Sequence, residues 1–144
     1  MSRPAASTQR TAPAGAKRGL RAVGVAGAVV AALAVWVVGD PLLGNDLVVQ
    51  QGGEAMNVGA GPVVLFALAS SLLGWAFLEA LERFTTRAGL IWTAVALLVL
   101  AASFVPLLSA DASDSTKVVL GLAHLAVAAV LIPVFWRSTQ PAAR

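Results

Sequence analysis

The stretch AGLIWTAVALLVLAASFVPLL, residues 88–108, decides the class of fold. It carries no charged side chain and few polar ones. A helix needs roughly 20 apolar residues to cross the hydrocarbon of a bilayer, and backbone groups in lipid must find their hydrogen bonds within the protein. The stretch is too long for a membrane-spanning strand and lacks the alternation of one. It therefore predicts a transmembrane helix.

Three more segments of this kind flank it: residues 22–39 and 62–81 before it, and 118–136 after it. Hydrophobic residues make up 58% of the 144-residue chain and charged residues only 12%, whereas about a quarter of a typical soluble domain is charged. A soluble chain this short could not bury so much apolar surface. The sequence thus predicts an all-α protein, a bundle of four transmembrane helices in a lipid bilayer.

Lysine and arginine predict the orientation of the bundle, because loops on the cytoplasmic side are enriched in both. Of the ten such residues, only Lys117, between the third and fourth spans, would lie outside if both termini are cytoplasmic. The opposite topology would invert that ratio. We therefore expect a multi-pass protein of the cytoplasmic membrane with cytoplasmic N- and C-termini and an acidic outer face.

The segments between and beyond the spans carry less information. Residues 1–21 are predicted to be a disordered basic tail, and residues 138–144 a second cytoplasmic tail. The first span is expected to stay uncleaved, because it is longer than the apolar core of about 7–15 residues in a signal peptide. Residues 40–61 form the largest outer loop; its glycines predict flexibility, and LLGNDLVV within it is suited to capping the bundle or to lying on the membrane surface.

A pair of opposite charges lies near the cytoplasmic end of the second span. Glu79 and Arg83 are four residues apart, so they can pair on one face of a helix. The structural explanation is a charged helix end held at the headgroups. The functional alternative is a proton or cation site, although a transporter carboxylate would more naturally lie near mid-membrane.

His124, the single histidine, lies inside the fourth span. Counting 1.5 Å per helical residue, it lies roughly 10 Å below the outer boundary, in the same layer as Ser70, Ser71 and Ser103 from two other spans. A hydrogen bond between hydroxyl and imidazole would satisfy both groups, at about 0.6 kcal/mol. The sequence predicts that His124 faces the inside of the bundle within this buried polar cluster. The alternative is a pH-sensitive or ligand-binding site open to the outside.

Several kinds of chemistry are disfavoured. The chain has no cysteine and one histidine, which excludes disulfides, thiolate ligands and a pair of histidine haem ligands within one chain. A serine hydrolase is disfavoured because no G-x-S-x-G turn is present. We expect no catalytic residues, metal, cofactor or nucleic-acid partner.

The chain resembles small four-span membrane proteins of actinobacteria that are classed as a domain of unknown function. The resemblance covers about residues 22–137 and rests on the motifs SLLGWAFLEALERF, GLIWTA, SFVPLL and HLAVAAVLIPVF. The matching positions are Gly74, Trp75, Glu82, Arg83, Trp92, Pro106, His124 and Pro133. The resemblance implies the four-span architecture and the membrane location, and it implies no activity.

The function expected from the sequence is non-enzymatic: a membrane subunit or accessory protein that acts through helix–helix contacts, with another membrane protein or a second copy as partner. The alternative is a homo-oligomeric transporter of a small molecule or an ion, with an outward-facing polar site around His124. Small four-span drug exporters rely on a carboxylate embedded in the first span, and residues 22–39 contain none. An enzyme acting on lipid or quinone is the third and weakest hypothesis.

Overall fold

The computed structural model describes residues 14–140 and contains four long helices and a small sheet. The helices are α1 (Ala14–Val37), α2 (Ala60–Phe84), α3 (Ala88–Ser109) and α4 (Asp114–Thr139), and the strands are β1 (Val48–Gln51), β2 (Glu54–Asn57) and β3 (Asp111–Ala112). All four helices are long and apolar enough to cross a membrane, which confirms the predicted four-helix transmembrane fold.

The first helix begins well before the predicted residue 22, so the expected disorder of residues 1–21 is wrong for residues 14–21. Those residues include the helix formers alanine, lysine, arginine and leucine, and packing of Arg21 between other helices holds them in place. Residues 1–13 lie outside the described part of the chain. The predicted tail from residue 138 also starts too early, because α4 continues to Thr139; residues 141–144 again lie outside.

The helices form a four-cornered bundle in which each helix packs against its two neighbours. The most extensive contact joins α1 and α4; α1 also packs on α2, and α3 packs on both α4 and α2. Helices α2 and α4 barely touch, because they occupy opposite corners. Their outward faces therefore point away from each other.

Small residues on α1 let α4 approach closely. Gly24, Ala28 and Ala32 are buried on one face, as their four-residue spacing suggests. A Cβ atom on Gly24 would lie 2.7 Å from Val134 Cγ1, and one on Gly27 would lie 3.2 Å from Val130 Cγ1. The small-residue stripe is thus used within the chain.

Charge divides the two ends of the bundle. We call the end formed by the N-termini of α1 and α3 and the C-termini of α2 and α4 the basic end, and the opposite end the acidic end. Within the described residues, the basic end carries Lys17, Arg18, Arg21, Glu79, Glu82, Arg83, Arg87 and Arg137, and the acidic end carries Asp40, Asp46, Glu54, Asp111, Asp114 and Lys117.

At the acidic end α1 does not stop abruptly. It continues as a π-helical turn, Val38–Leu42, in which the Leu43 amide donates to the Val38 carbonyl at 3.0 Å. Pro41 lies inside this turn and has no amide to donate. On its side facing α4, Gly39 packs so closely that a Cβ atom there would lie 2.5 Å from Val119 Cγ1.

The loop of residues 40–61 contributes β1 and β2 to a three-stranded antiparallel sheet, of order β2-β1-β3. Its hairpin turns through Gly52 and Gly53, both with positive φ, as a two-residue turn between strands requires. β1 also pairs with β3, from the loop between α3 and α4, with Val49 opposite Ala112. Of the predicted capping segment, Leu47 is fully buried while Leu42 and Leu43 are exposed. The expected flexibility of residues 40–61 is therefore wrong for most of the loop.

Candidate functional site, a buried arginine at the junction of three helices

Arg21 lies at the basic end with only 2% of its surface exposed. Its Nη2 donates to Glu82 Oε1 on α2 at 2.7 Å, and its Nε donates to Ser138 Oγ on α4 at 2.9 Å. One guanidinium thus binds three helices together. Arginine suits this position because its planar fork carries five donors in fixed directions.

Ser138 is placed by the last turn of α4. Its hydroxyl donates to the Phe135 carbonyl at 2.7 Å, so its oxygen lone pairs are left to accept from Arg21. Ser138 is 2% exposed, and its direct neighbour Arg137 points outward.

Glu79, one turn before Glu82, completes the cluster. Its Oε1 accepts from Trp75 Nε1 at 2.8 Å and lies 3.7 Å from Arg18 Nε and 3.9 Å from Arg21 Nη1. Its side chain is 31% exposed and that of Glu82 is 29% exposed. Both carboxylates therefore keep one side open while the guanidinium is closed in.

The predicted pair of Glu79 and Arg83 does not form, and Glu79 faces the arginines of α1 instead. Packing of α1 against α2 places Arg18 and Arg21 beside the face of α2 that carries Glu79. Arg83 is exposed. The sequence interpretation placed Arg21 in a tail, and it therefore missed Arg21, Ser138 and the role of Glu82. One sequence signal was available. Glu79 and Glu82 have a Glu-x-x-Glu spacing, and they lie at the same membrane depth as the basic residues near the start of α1.

An apolar layer lies directly beneath the charges. Phe135 and Leu78 are fully buried, and Trp92 is nearly so. The rings of Trp92 and Phe135 have their centroids 5.0 Å apart, and Trp92 Nε1 donates to the Gly74 carbonyl at 2.8 Å. Water is thereby kept from the inner side of the Arg21 cluster, which strengthens its electrostatic attraction.

This arrangement holds helices together and is poorly suited to acid–base chemistry on a bound molecule. Because only 2% of Arg21 is exposed, a substrate atom cannot reach the donors that Glu82 and Ser138 leave unused. Removing the Glu82 carboxylate would leave the enclosed guanidinium without its closest counter-ion, and an uncompensated buried charge costs about 3–5 kcal/mol. Gly74, Trp75, Glu82 and Trp92, on which the family resemblance partly rests, all lie in or beside this junction.

The polar cluster predicted around His124 does not assemble inside the bundle. His124 is exposed on α4, and its Nδ1 lies 2.7 Å from the Leu120 carbonyl of the same helix. Its nearest aromatic neighbour is Phe104, with ring centroids 6.4 Å apart. The prediction that His124 faces inward is therefore wrong for a single copy of the chain.

The three serines of that cluster also bond to their own helices. Ser70 and Ser71 both donate to the Ala67 carbonyl, at 3.2 and 2.6 Å, and Ser103 donates to the Leu100 carbonyl at 2.6 Å. Ser71 is buried, Ser103 is half-buried and Ser70 is exposed. Because α2 and α4 stand on opposite corners, Ser70 and His124 cannot meet within one copy.

Comparison with known proteins supports the architecture and adds no activity. No curated protein and no solved structure matches the chain. The model of a family of unknown function, DUF6069, matches residues 12–141, which includes every helix and strand described above. The four-span resemblance read from the sequence is thus confirmed as one to a family of unknown function. The chain is a multi-pass membrane protein and belongs to the family DUF6069.

Proposed function

We propose that the protein is a non-enzymatic subunit or accessory protein of the cytoplasmic membrane that acts through contacts between its helices and those of another membrane protein. The observation that carries the proposal is the closed junction around Arg21. Its guanidinium is enclosed and bonds to α2 and α4, so this charged site joins α1, α2 and α4.

The outside of the bundle supports the same proposal. Large apolar side chains cover α2 and α3, and Phe66, Leu73, Leu98 and Val105 are each more than three-fifths exposed. Such surfaces contact lipid or the helices of a neighbour with equal ease, since association in membranes depends on packing and on a few polar bonds. A helical bundle with an apolar exterior is suited to this kind of contact.

The proposed orientation places the basic end in the cytoplasm and the sheet outside. The positive-inside rule supports it, because Lys117 is the one lysine or arginine of the sequence between α3 and α4 and all the others flank the basic end. The acidic sheet and the π-helical turn would then face the outside of the cell membrane.

The alternative, a homo-oligomeric transporter, has less support. Its predicted polar site around His124 would need Ser70, Ser71 and Ser103 together beside the imidazole, and the short bonds of Ser71 and Ser103 to their own helices do not favour this. Within residues 14–140 of one copy, these serines and His124 do not form a shared polar site, so transport has less support than an accessory role.

Native mass spectrometry of the protein, extracted gently from its own membrane, tests the proposed function. We expect a complex that contains a different membrane protein in fixed ratio. The matched control is the same extraction after Arg21→Met, which loosens the junction and should reduce the amount of that complex. A spectrum that contains only this chain, as monomer or homo-oligomer, would overturn the accessory role.

A further inference from the structure

The imidazole of His124 lies well inside the membrane. α4 begins at Asp114, and His124 follows ten residues later, which corresponds to about 15 Å along the helix axis. The side chains exposed beside it, Val118, Leu122 and Leu125, are apolar. A polar ring directed at hydrocarbon is costly, so intramembrane histidines normally face protein or water.

The hydrogen bond to Leu120 determines which ring nitrogen is free. A carbonyl oxygen only accepts, so the 2.7 Å contact requires that Nδ1 carries the hydrogen. In the neutral ring Nε2 is then an acceptor. Within residues 14–140 it has no hydrogen-bond partner, and it needs a donor from outside the copy.

Ser70 on α2 offers that donor. α2 begins at Ala60 at the same acidic end, and Ser70 also follows ten residues later, so the two side chains lie at equal depth. Ser70 is exposed, and its hydroxyl makes a bond of 3.2 Å to Ala67, longer than the 2.6 Å bond of Ser71 to the same carbonyl. Rotation about one bond redirects the Ser70 hydrogen outward.

We propose that copies of this chain associate side by side in the membrane, with the α4 face of one copy against the α2 face of the next and Ser70 Oγ donating to His124 Nε2 between them. The α4 face carries an acceptor without a partner, His124 Nε2, and the α2 face carries an available donor, Ser70 Oγ. The two groups lie at one depth, on opposite corners of the bundle. Contacts between two different faces of identical subunits form a ring where the rotation between copies closes, and an open row where it does not. This inference goes beyond the proposed function, because it concerns contacts between identical copies only.

Self-association is measured by energy transfer between fluorophores on Gln140→Cys protein in liposomes, since the native chain has no cysteine to compete. His124→Ala and Ser70→Ala should each weaken association about threefold, which corresponds to the roughly 0.6 kcal/mol of an interhelical hydrogen bond in a membrane. The double variant should be no weaker than either single variant, because both remove the same bond. Ser71→Ala, one residue away and buried, is the matched control and should leave association unchanged.

Disulfide capture gives a second measurement that does not depend on small changes in affinity. Ser70→Cys and His124→Cys proteins, mixed in one membrane and oxidised, should form a cross-linked dimer that neither variant forms alone. Equal cross-linking of His124→Cys alone would indicate a two-fold contact and overturn the proposal. The proposal would also be overturned if the native protein stays monomeric at every protein-to-lipid ratio. The same holds if the losses of association in the two single variants add up in the double variant. These experiments use purified protein, so a failure of self-association would leave the heteromeric accessory role intact. Conversely, the absence of a foreign partner in native mass spectrometry would leave the self-association intact.

Discussion

At the scale of single residues, the described chain places its one deeply enclosed guanidinium where three helices meet. Arg21 is 2% exposed, whereas Arg18, one turn earlier, is 69% exposed. Both arginines lie near Glu79, but only Arg21 also bonds to Glu82 and Ser138. Burial therefore makes two neighbouring arginines unequal in their contribution to the free energy of unfolding.

Replacing Arg21 with alanine should lower the free energy of unfolding in detergent by about 3 kcal/mol, because it removes the hydrogen bonds to Glu82 and Ser138 and empties a packed site. Arg18→Ala, the matched control, should cost less than about 1 kcal/mol, as exposed ion pairs contribute little. Unfolding in increasing dodecyl sulfate, followed by circular dichroism, measures both. Equal losses in the two variants would contradict the assigned role of Arg21.

The periodicity of large apolar residues does not identify which residues inside a span face the neighbouring helices. Lipid is as apolar as the bundle core, so leucine and valine cover both faces and the apolar periodicity of a soluble helix is missing. Depth along the span was predictable for His124 and Ser70, because it follows from counting residues. Their outward direction depends on the corner that each helix occupies, and that is settled by packing over the whole bundle.

At the scale of elements, the contact between α1 and α4 depends on glycines that let the two backbones approach. Gly24 contacts the branched side chain of Val134, which has little rotational freedom in a helix. Gly19, on the same helix, has open space around the position of a Cβ atom. Gly24 and Gly19 are therefore a matched pair for substitution, because only Gly24 lies in a close contact between helices.

Gly24→Ala should destabilise the bundle by about 1–3 kcal/mol through overpacking, while Gly19→Ala should be neutral or stabilising, since alanine favours helix by up to about 1 kcal/mol. Melting temperatures in one detergent, recorded side by side, compare the variants. If the melting temperature of Gly24→Ala equals or exceeds that of the native chain, the helices can move apart without losing stability, which would contradict the role assigned to Gly24.

The sheet was the element hardest to predict. Its hairpin has a local signal in Gly52 and Gly53, but β1 also pairs with β3, which belongs to a loop two spans later. A two-residue strand has no detectable pattern of its own. The four helices, by contrast, follow directly from length and composition, and their predicted ends differ from the observed ones mainly at α1.

The pairing of β1 with β3 can be tested by disulfide formation. Val49 and Ala112 are opposite each other in adjacent antiparallel strands, where Cα atoms are about 4.5–5.5 Å apart, a separation that a disulfide bridges. Val49→Cys with Ala112→Cys should cross-link on oxidation, seen as faster migration on a non-reducing gel. Glu54→Cys with Ala112→Cys, on strands that do not pair, serves as the control and should remain reduced.

At the scale of the whole molecule, the bundle has a basic end and an acidic end that the bilayer separates. The proposed orientation predicts that Glu54→Cys, in the sheet, reacts with a membrane-impermeant maleimide in intact cells. Gln140→Cys, just past the end of α4, should react only after the membrane is permeabilised. The reverse labelling pattern would place the basic end outside and contradict the positive-inside assignment.

The three-helix junction also has a consequence for how the chain is made. Ser138 follows Arg21 by 117 residues and Glu82 follows it by 61. At synthesis rates of about 5–20 residues per second, on the order of ten seconds separate translation of the arginine from translation of its last partner. A nascent chain carries the unsatisfied guanidinium through that interval, first alone and then bonded to α2. Arrival of α4 therefore completes the site, and a chain that stops before that point lacks the Ser138 acceptor of the guanidinium.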